Sequence, residues 1–272
     1  MLKPKKSLGQ NFLKSEKIAQ EIVEAGEVGP EDIVLEVGPG KGILTEELLK
    51  KAKKVIAVEK DEQLAELLRT KFCDPPATLC VAMRAGSRKV SSLEVVSGDI
   101  LKFNPTTYNL QPNSYKIIAN IPYYITSHLL RTFLESDNQP SLMVLMVQKE
   151  VAERIVGIKE SLLSISVKAY GRPEIIRYVP ASYFSPAPKV DSAALKISGI
   201  SKEFFQKISE KKFFETVKKG FSQKRKMLIN NLKVDKDDFT ACNIDEKARA
   251  EILSLEQWKC LTFLIVNVKA RP

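Results

Sequence analysis

Asn120, Ile121, Pro122 and Tyr123 stand together directly after Tyr115 to Ala119, an apolar run that reads as a strand. An amide oxygen at a strand end is suited to holding the hydrogens of an exocyclic amine. The N6 amine of an adenine is a poor nucleophile, because its lone pair is delocalised into the ring. The Asn120 side-chain oxygen, aided by the Ile121 carbonyl, would hold the amino hydrogens and localise that pair toward a methyl donor. Pro122 stiffens such a loop, and Tyr123 offers a ring on which a base can stack.

A second group of residues addresses a small ligand. Gly38, Gly40 and Gly42 follow the short apolar strand Ile33 to Val37 and let the backbone turn sharply and approach a bound group. A dinucleotide site would want G-x-G-x-x-G, but here the third glycine comes one residue early, with Ile43 in its place. A pyrophosphate cofactor is therefore disfavoured. Glu59 closes the next strand, Val55 to Val58, where a carboxylate can accept from both ribose hydroxyls of an adenosine. Asp99 follows a third strand, Leu93 to Val96, and can accept from the adenine amino group. Polar groups ending three strands in chain order suit an adenosine-containing ligand at the carboxyl edge of a sheet.

The elements that must carry these residues alternate strand with helix, which implies an α/β fold with a parallel sheet and helices on both faces. Ser15 is placed to cap a helix through Ile18, Ile22 and Val23, ended by Gly29-Pro30. Helices follow around Leu44, Leu48 and Leu49, around Leu64, Leu67 and Leu68, and over Ser127 to Glu135. Residues 73 to 92, with Pro75-Pro76 and Gly86, read as a surface excursion. A further strand is expected at Leu142 to Val147. Two β-rich runs, Leu162 to Ala169 and Ser192 to Ile197, are expected to pair antiparallel at one edge. Near Gly199 the pattern turns helical and stays so, dividing the chain into a domain over 1–198 and a small helical domain over 199–272.

The 272 residues, 44% of them hydrophobic, suffice for this arrangement, and 43 Lys plus Arg against 33 Asp plus Glu leave a net charge of +10. That balance suits a polyanionic partner such as RNA. Cys73, Cys80, Cys242 and Cys260 form no C-x-x-C pair, and His128 has no ligating neighbour, so reduced thiols and no metal are expected. Neither a signal-peptide apolar run nor a membrane-spanning stretch is present, which leads to the expectation of a cytoplasmic protein.

Several runs together resemble one family. They are Lys6 to Leu13, Glu36 to Gly42, Ala57 to Glu59, Gly98-Asp99, Asn120 to Thr126, Met146 to Arg154 and Phe184 to Ser192. Their match, over about 3–232, is to the ribosomal RNA small-subunit adenine N6,N6-dimethyltransferases, a family that also takes in erythromycin-resistance methyltransferases and mitochondrial relatives. The resemblance implies a Rossmann-like domain that binds S-adenosyl-L-methionine through Asn11, Leu13, Gly38, Gly40, Glu59, Asp99 and Asn120. It implies a catalytic loop of Asn120, Ile121, Pro122 and Tyr123, with Phe184 stacking on the target base opposite Tyr123. It further implies a substrate of two adjacent adenines in a hairpin near the 3′ end of small-subunit ribosomal RNA, met in an immature 30S-type particle; no large self-association surface is suggested by the sequence, so a monomer is expected. A helix from Phe221 to Leu232 bearing Lys224, Arg225 and Lys226 would hold the RNA. The macrolide-resistance branch, acting on large-subunit RNA, and a non-catalytic ribosome assembly factor are the alternatives. The chain departs from the family in the longer 73–92 excursion and in Leu162 to Gly171.

Overall fold

The structure, a computed structural model, describes residues 4–5, 8–73, 79–83, 90–223 and 225–268. It divides into two compact units, Met1–Ala152 with Glu174–Ile200, and Glu153–Pro173 with Ser201–Pro272.

The chain opens with β1 (Phe12–Leu13) and α1 (Glu16–Ala25). The Ser15 side chain accepts from the Ile18 N–H, and α1 buries Ile18, Ala19, Ile22 and Val23 along one face. The helix ends at Gly26, earlier than Gly29-Pro30. There follow β2 (Ile33–Val37), α2 (Ile43–Lys51), β3 (Lys54–Glu59), α3 (Glu62–Phe72), β4 (Leu79–Met83) and β5 (Val90–Ser97). Then come β6 (Tyr115–Asn120), α4 (Thr126–Leu134), β7 (Leu142–Gln148) and α5 (Lys149–Val156). After α6 (Leu162–Lys168) the chain adds β8 (Arg172–Val179), β9 (Phe184–Ser185) and β10 (Ser192–Ser198).

Eight strands form one sheet in the order β4-β5-β3-β2-β6-β7-β10-β8. Its middle, from β5 through β3, β2 and β6 to β7, is parallel, while β4 and β10 are antiparallel to β5 and β7. The chain winds outward from β2 to β3 and β5, then returns to β6 on the other side of β2. The carboxyl ends of β2 and β6 therefore flank the point where the winding reverses, the place such sheets bind ligands. Alternate strand residues Val34, Val55, Ala57, Val95, Ile118 and Val144 pack with α1, α2 and α3 residues in one apolar cluster. The intervening Leu35, Ile56, Ile117, Met143 and Leu145 are buried as well, so the sheet is covered on both faces, as near-continuous apolar strands require.

Two expected elements differ. Leu79–Met83 and Val90–Ser92, within the segment read as a surface excursion, are strands paired in the register Leu79↔Glu94 to Met83↔Val90. Residues 74–78 and 84–89 lie outside the described residues. Leu162 to Ala169, expected as a strand, is the helix α6, because Ser161 and Ser164 form a reciprocal capping box that the β-branched composition does not override. The strand beside β10 is instead β8, whose Pro173 is tolerated on an edge.

The second unit thus draws residues 153–173 into a helical assembly with α7 (Glu210–Gly220), α8 (Leu228–Leu232), α9 (Lys236–Ala241) and α10 (Leu255–Val268). Trp258, Phe213 and Phe239 are fully buried at its centre. A Cβ on Gly220 would stand 2.4 Å from the Trp258 ring, so this position on α7 accepts no side chain. The thiols expected to be reduced are paired: Cys242 and Cys260 form a disulfide, and Cys73 is disulfide-bonded too. Spacing in the sequence could not show this, because the fold brings the end of α9 to the middle of α10. No helix among the described residues is long and apolar enough to cross a membrane.

Candidate active site

One cleft at the carboxyl edge of the sheet is lined by residues from the start of the chain, the glycine turn, and the ends of β3, β5 and β6. It encloses about 1100 Å³ including its open mouth. Asn11, Leu13, Gly38, Gly40, Glu59, Asp99 and Asn120 all line it, as do Ile121, Pro122 and Tyr123.

The turn after β2 is built from glycines because the backbone there is left-handed. Gly38, Gly40 and Gly42 have φ of 63°, 60° and 80°, and a Cβ on Gly40 would come 2.9 Å from the Phe12 ring. This close approach lets the Gly40 N–H donate to Glu59 Oε2 at 3.1 Å, while the Asp61 N–H donates to Glu59 Oε1 at 2.9 Å. Burial raises the Glu59 carboxyl, and these backbone donors oppose the rise. Each Glu59 oxygen keeps a lone pair for a further donor, as a ribose diol would supply.

Asp99 sits just beyond β5. Its Oδ2 accepts from Lys60 Nζ at 2.8 Å and its Oδ1 from the Leu101 N–H at 3.0 Å. The Lys60 ammonium holds this carboxyl below its usual range, so it stays an acceptor.

Asn120 ends β6. Its side-chain Nδ2 donates to the Asn11 carbonyl at 3.1 Å, which fixes the amide with its oxygen free. Pro122 leads into a turn over Tyr123–Ile125, closed by the Ile125 N–H on the Pro122 carbonyl, that starts α4. The Tyr123 phenol shares a hydrogen bond with the Ser192 hydroxyl. Asn11 is held in turn because β1 pairs antiparallel with β9, Leu13 opposite Phe184. The pairing brings together the Lys6 to Leu13 and Phe184 to Ser192 runs, with Lys6 and Ser7 outside the described residues.

Phe184 itself stands elsewhere than expected. It is 2% exposed, does not line the cleft, and packs in the apolar cluster with Leu13, Ile18 and Ile22. A ring so enclosed offers no face to a base opposite Tyr123; its bulk anchors β9 beside β1. Arg225 and Lys226 are exposed, but on the turn between α7 and α8 and not on a helix, since α7 stops at Gly220. Lys224 lies outside the described residues.

Sequence reasoning passed over Glu36. This carboxyl, 1% exposed and next to last in β2, lines the cleft beside Thr45 of α2, with neither oxygen in a well-formed hydrogen bond. Burial pushes it up to about 8, the Thr45 hydroxyl and N–H oppose the rise, and the nearby Glu59 carboxylate adds to it. A buried acid so weakly satisfied in a ligand cleft calls for a cationic or donor-bearing ligand. Its place directly before Val37-Gly38 was the available signal. Asp61, which accepts from Lys5 Nζ and Gln10 Nε2 and so ties the start of the chain to the N-terminus of α3, was missed as well. Among the described residues no group of His, Cys, Asp or Glu could hold a metal.

A glycine turn at the reversal point, a carboxylate ending β3, a second after β5 and an amide ending β6 define an S-adenosylmethionine-dependent methyltransferase. The weakly satisfied Glu36 carboxyl and the Cβ-free approach at Gly40 fit that cofactor, whose methionine end is cationic and whose adenosine carries a diol. The chain belongs to the family described as ribosomal RNA adenine dimethylase, whose profile matches residues 1–266. It is 42% identical to the ribosomal RNA small subunit methyltransferase A of Dehalococcoides mccartyi, covering 96% of this chain and 88% of that one. It is 35% identical to the Clostridium botulinum protein of the same name, over 97% and 94%. Among solved structures, a dimethyladenosine transferase from Plasmodium falciparum superposes with TM-score 0.74 at 27% identity, covering 95% and 98%. The 23S rRNA methyltransferase ErmE does so with 0.71 at 25%, covering 93% and 98%. The chain is an enzyme of this family, and its cofactor is S-adenosyl-L-methionine.

Proposed function

We propose that this protein dimethylates N6 of two adjacent adenines in the hairpin near the 3′ end of small-subunit ribosomal RNA, acting as a cytoplasmic monomer on an immature 30S-type particle. The observation that carries the reading is the fixed amide of Asn120: with Nδ2 committed to the Asn11 carbonyl, Oδ1 is left to accept from an incoming amine. The names of the curated relatives supply the RNA.

When bound, the cofactor supplies an electrophilic methyl group on a sulfonium. Glu59 would hold the ribose hydroxyls, Asp99 the adenine amine and Glu36 the cationic end. The target adenine leaves its stack and lies against the Tyr123 ring, a contact worth on the order of 1–3 kcal/mol. Asn120 Oδ1 and the Ile121 carbonyl take the amino hydrogens, which turns the nitrogen lone pair toward the methyl group. Positioning does the rest: the nitrogen that has gained the methyl is cationic and releases a proton to solvent afterwards, so no side chain has to act as a base. Arg225 and Lys226 would meet phosphates of the RNA.

The test is transfer of tritiated methyl groups to subunits lacking the modification, with the labelled nucleotide mapped. Label should enter the paired adenines of the small-subunit hairpin, and Asn120→Ala should lower turnover by at least about a thousandfold while RNA binding persists. Label confined to large-subunit RNA, or full turnover by Asn120→Ala, overturns the reading.

A further inference from the structure

The loop that meets the base is fixed at two points, and only one belongs to the chemistry already described. Asn120 is held by the Asn11 carbonyl. Three residues on, the Tyr123 phenol oxygen lies 2.5 Å from Ser192 Oγ. Ser192 is fully buried, the first residue of β10, and paired in register with Gln148 of β7. In the neighbouring ladder Asn120 is paired with Met146 of the same strand. Tyr123 therefore reaches over the end of β7, and its hydroxyl is fastened to the strand beyond.

The anchor is itself rigid. The Asp191 carbonyl accepts from the Lys149 N–H at 3.0 Å, and its carboxylate accepts from the Ala181 N–H at 2.9 Å. Ser192 is thus set by the sheet on one side and by the loop from Ala181 on the other. The phenol is kept protonated by burial and by the nearby Asp191 carboxylate, so the bond persists over the working pH range. A tyrosine side chain has two rotatable torsions, and a hydrogen bond at its far end fixes the first, which sets where the ring sits; the oxygen lies on the axis of the second. Without a partner the ring is free to swing about its first torsion, and a half-buried hydroxyl is left unsatisfied.

We propose that Ser192 is a positioning residue for methyl transfer: its hydroxyl holds the Tyr123 ring in the place against which the target adenine stacks. This rests on the base-stacking reading of Tyr123. Misplacing the base by a fraction of an ångström separates nitrogen and methyl carbon, so the loss falls on turnover and not on cofactor binding.

The experiment compares Ser192→Ala, Ser192→Thr, Tyr123→Phe and the double variant Ser192→Ala/Tyr123→Phe in methyl transfer, alongside binding of an RNA hairpin carrying 2-aminopurine at the target position. Ser192→Ala and Tyr123→Phe should each lower kcat about tenfold with KM for the cofactor unchanged, and the double variant should be no worse than either. Ser192→Thr, which keeps the hydroxyl, should recover turnover, and quenching of the 2-aminopurine by stacking should weaken in Ser192→Ala. Tyr123→Phe removes one oxygen at the other end of the bond, so the proposal stays testable if a change at the buried serine impairs folding. Unchanged kcat in Tyr123→Phe, or losses that multiply in the double variant, overturns the role of Ser192. Full turnover by Tyr123→Ala would instead remove the stacking reading itself.

Discussion

The two units of the chain bury different chemistry. Every buried carboxylate among the described residues, Glu36, Glu47, Glu59 and Asp61, lies in the sheet unit, together with the buried amides Asn138 and Gln139. In the helical unit the buried polar side chains are the hydroxyls of Ser164, Thr216 and Thr262. Ser164 caps its own helix, and Thr262 donates to the Trp258 carbonyl one turn back. The helical unit is thus ordered mainly by apolar packing, to the point of leaving the Trp258 indole N–H without a partner. The sheet unit holds charge in places that a ligand completes. Both units have apolar cores, but buried charge is found in the sheet unit alone among the described residues.

The largest effect that would sharpen this contrast comes from Trp258→Ala. The ring is fully buried and packs on Phe221 and Gly220, so its removal should cost about 3–5 kcal/mol of unfolding free energy. Calorimetry should show that loss while cofactor affinity stays within about twofold of the parent. A comparable fall in cofactor affinity would break the contrast.

A smaller effect concerns pH. Glu36 has its carboxyl raised from 4.5 to about 8 in the folded protein. Between those values the folded protein keeps a proton that the unfolded chain has released. The group therefore favours folding in acid and loses that contribution as pH rises toward about 8. The unfolding midpoint of the ligand-free protein should fall across that window, and Glu36→Gln should flatten the decline. An equal slope in both proteins would show that some other group sets it.

The smallest effect belongs to the exposed turn. Arg225→Ala with Lys226→Ala should leave stability within about 0.5 kcal/mol, weaken RNA binding and reduce the log–log salt dependence by about two. Titration at several salt concentrations checks this, and an unchanged slope would take these two residues out of the RNA contact.

What the sequence revealed follows the same division. The residues that end β2, β3, β5 and β6 were legible because chemistry at a strand end leaves an unusual residue in an otherwise apolar pattern. Asn120, Glu59 and Asp99 each break such a run. Glu36 left no comparable mark: a lone acid in the strand pattern gives no sign that its oxygens are weakly satisfied until burial is known. Ser192 is one small residue at the head of a strand, and its tie to Tyr123 depends on strands far apart in the chain. The β8 strand was hidden by Pro173, and α6 by β-branched residues whose preference a two-serine cap outweighed. Phe184 carried a family role but lies inside the core. The glycine that crowds Trp258 could be read only once both helices were in place.

The bond from the Asn120 amide to the Asn11 carbonyl spans 109 positions of sequence. An asparagine has two nearly isosteric ends, and a half-turn about its last torsion would present hydrogens where an acceptor is wanted, setting donor against donor and expelling the substrate. The opening segment of the chain is therefore a polarity key: a backbone oxygen just before one short strand decides which way a distant side chain reads its visitor. A variant that shifts Asn11 without altering a single atom of Asn120 would invert the sense of recognition while leaving the cleft the same size.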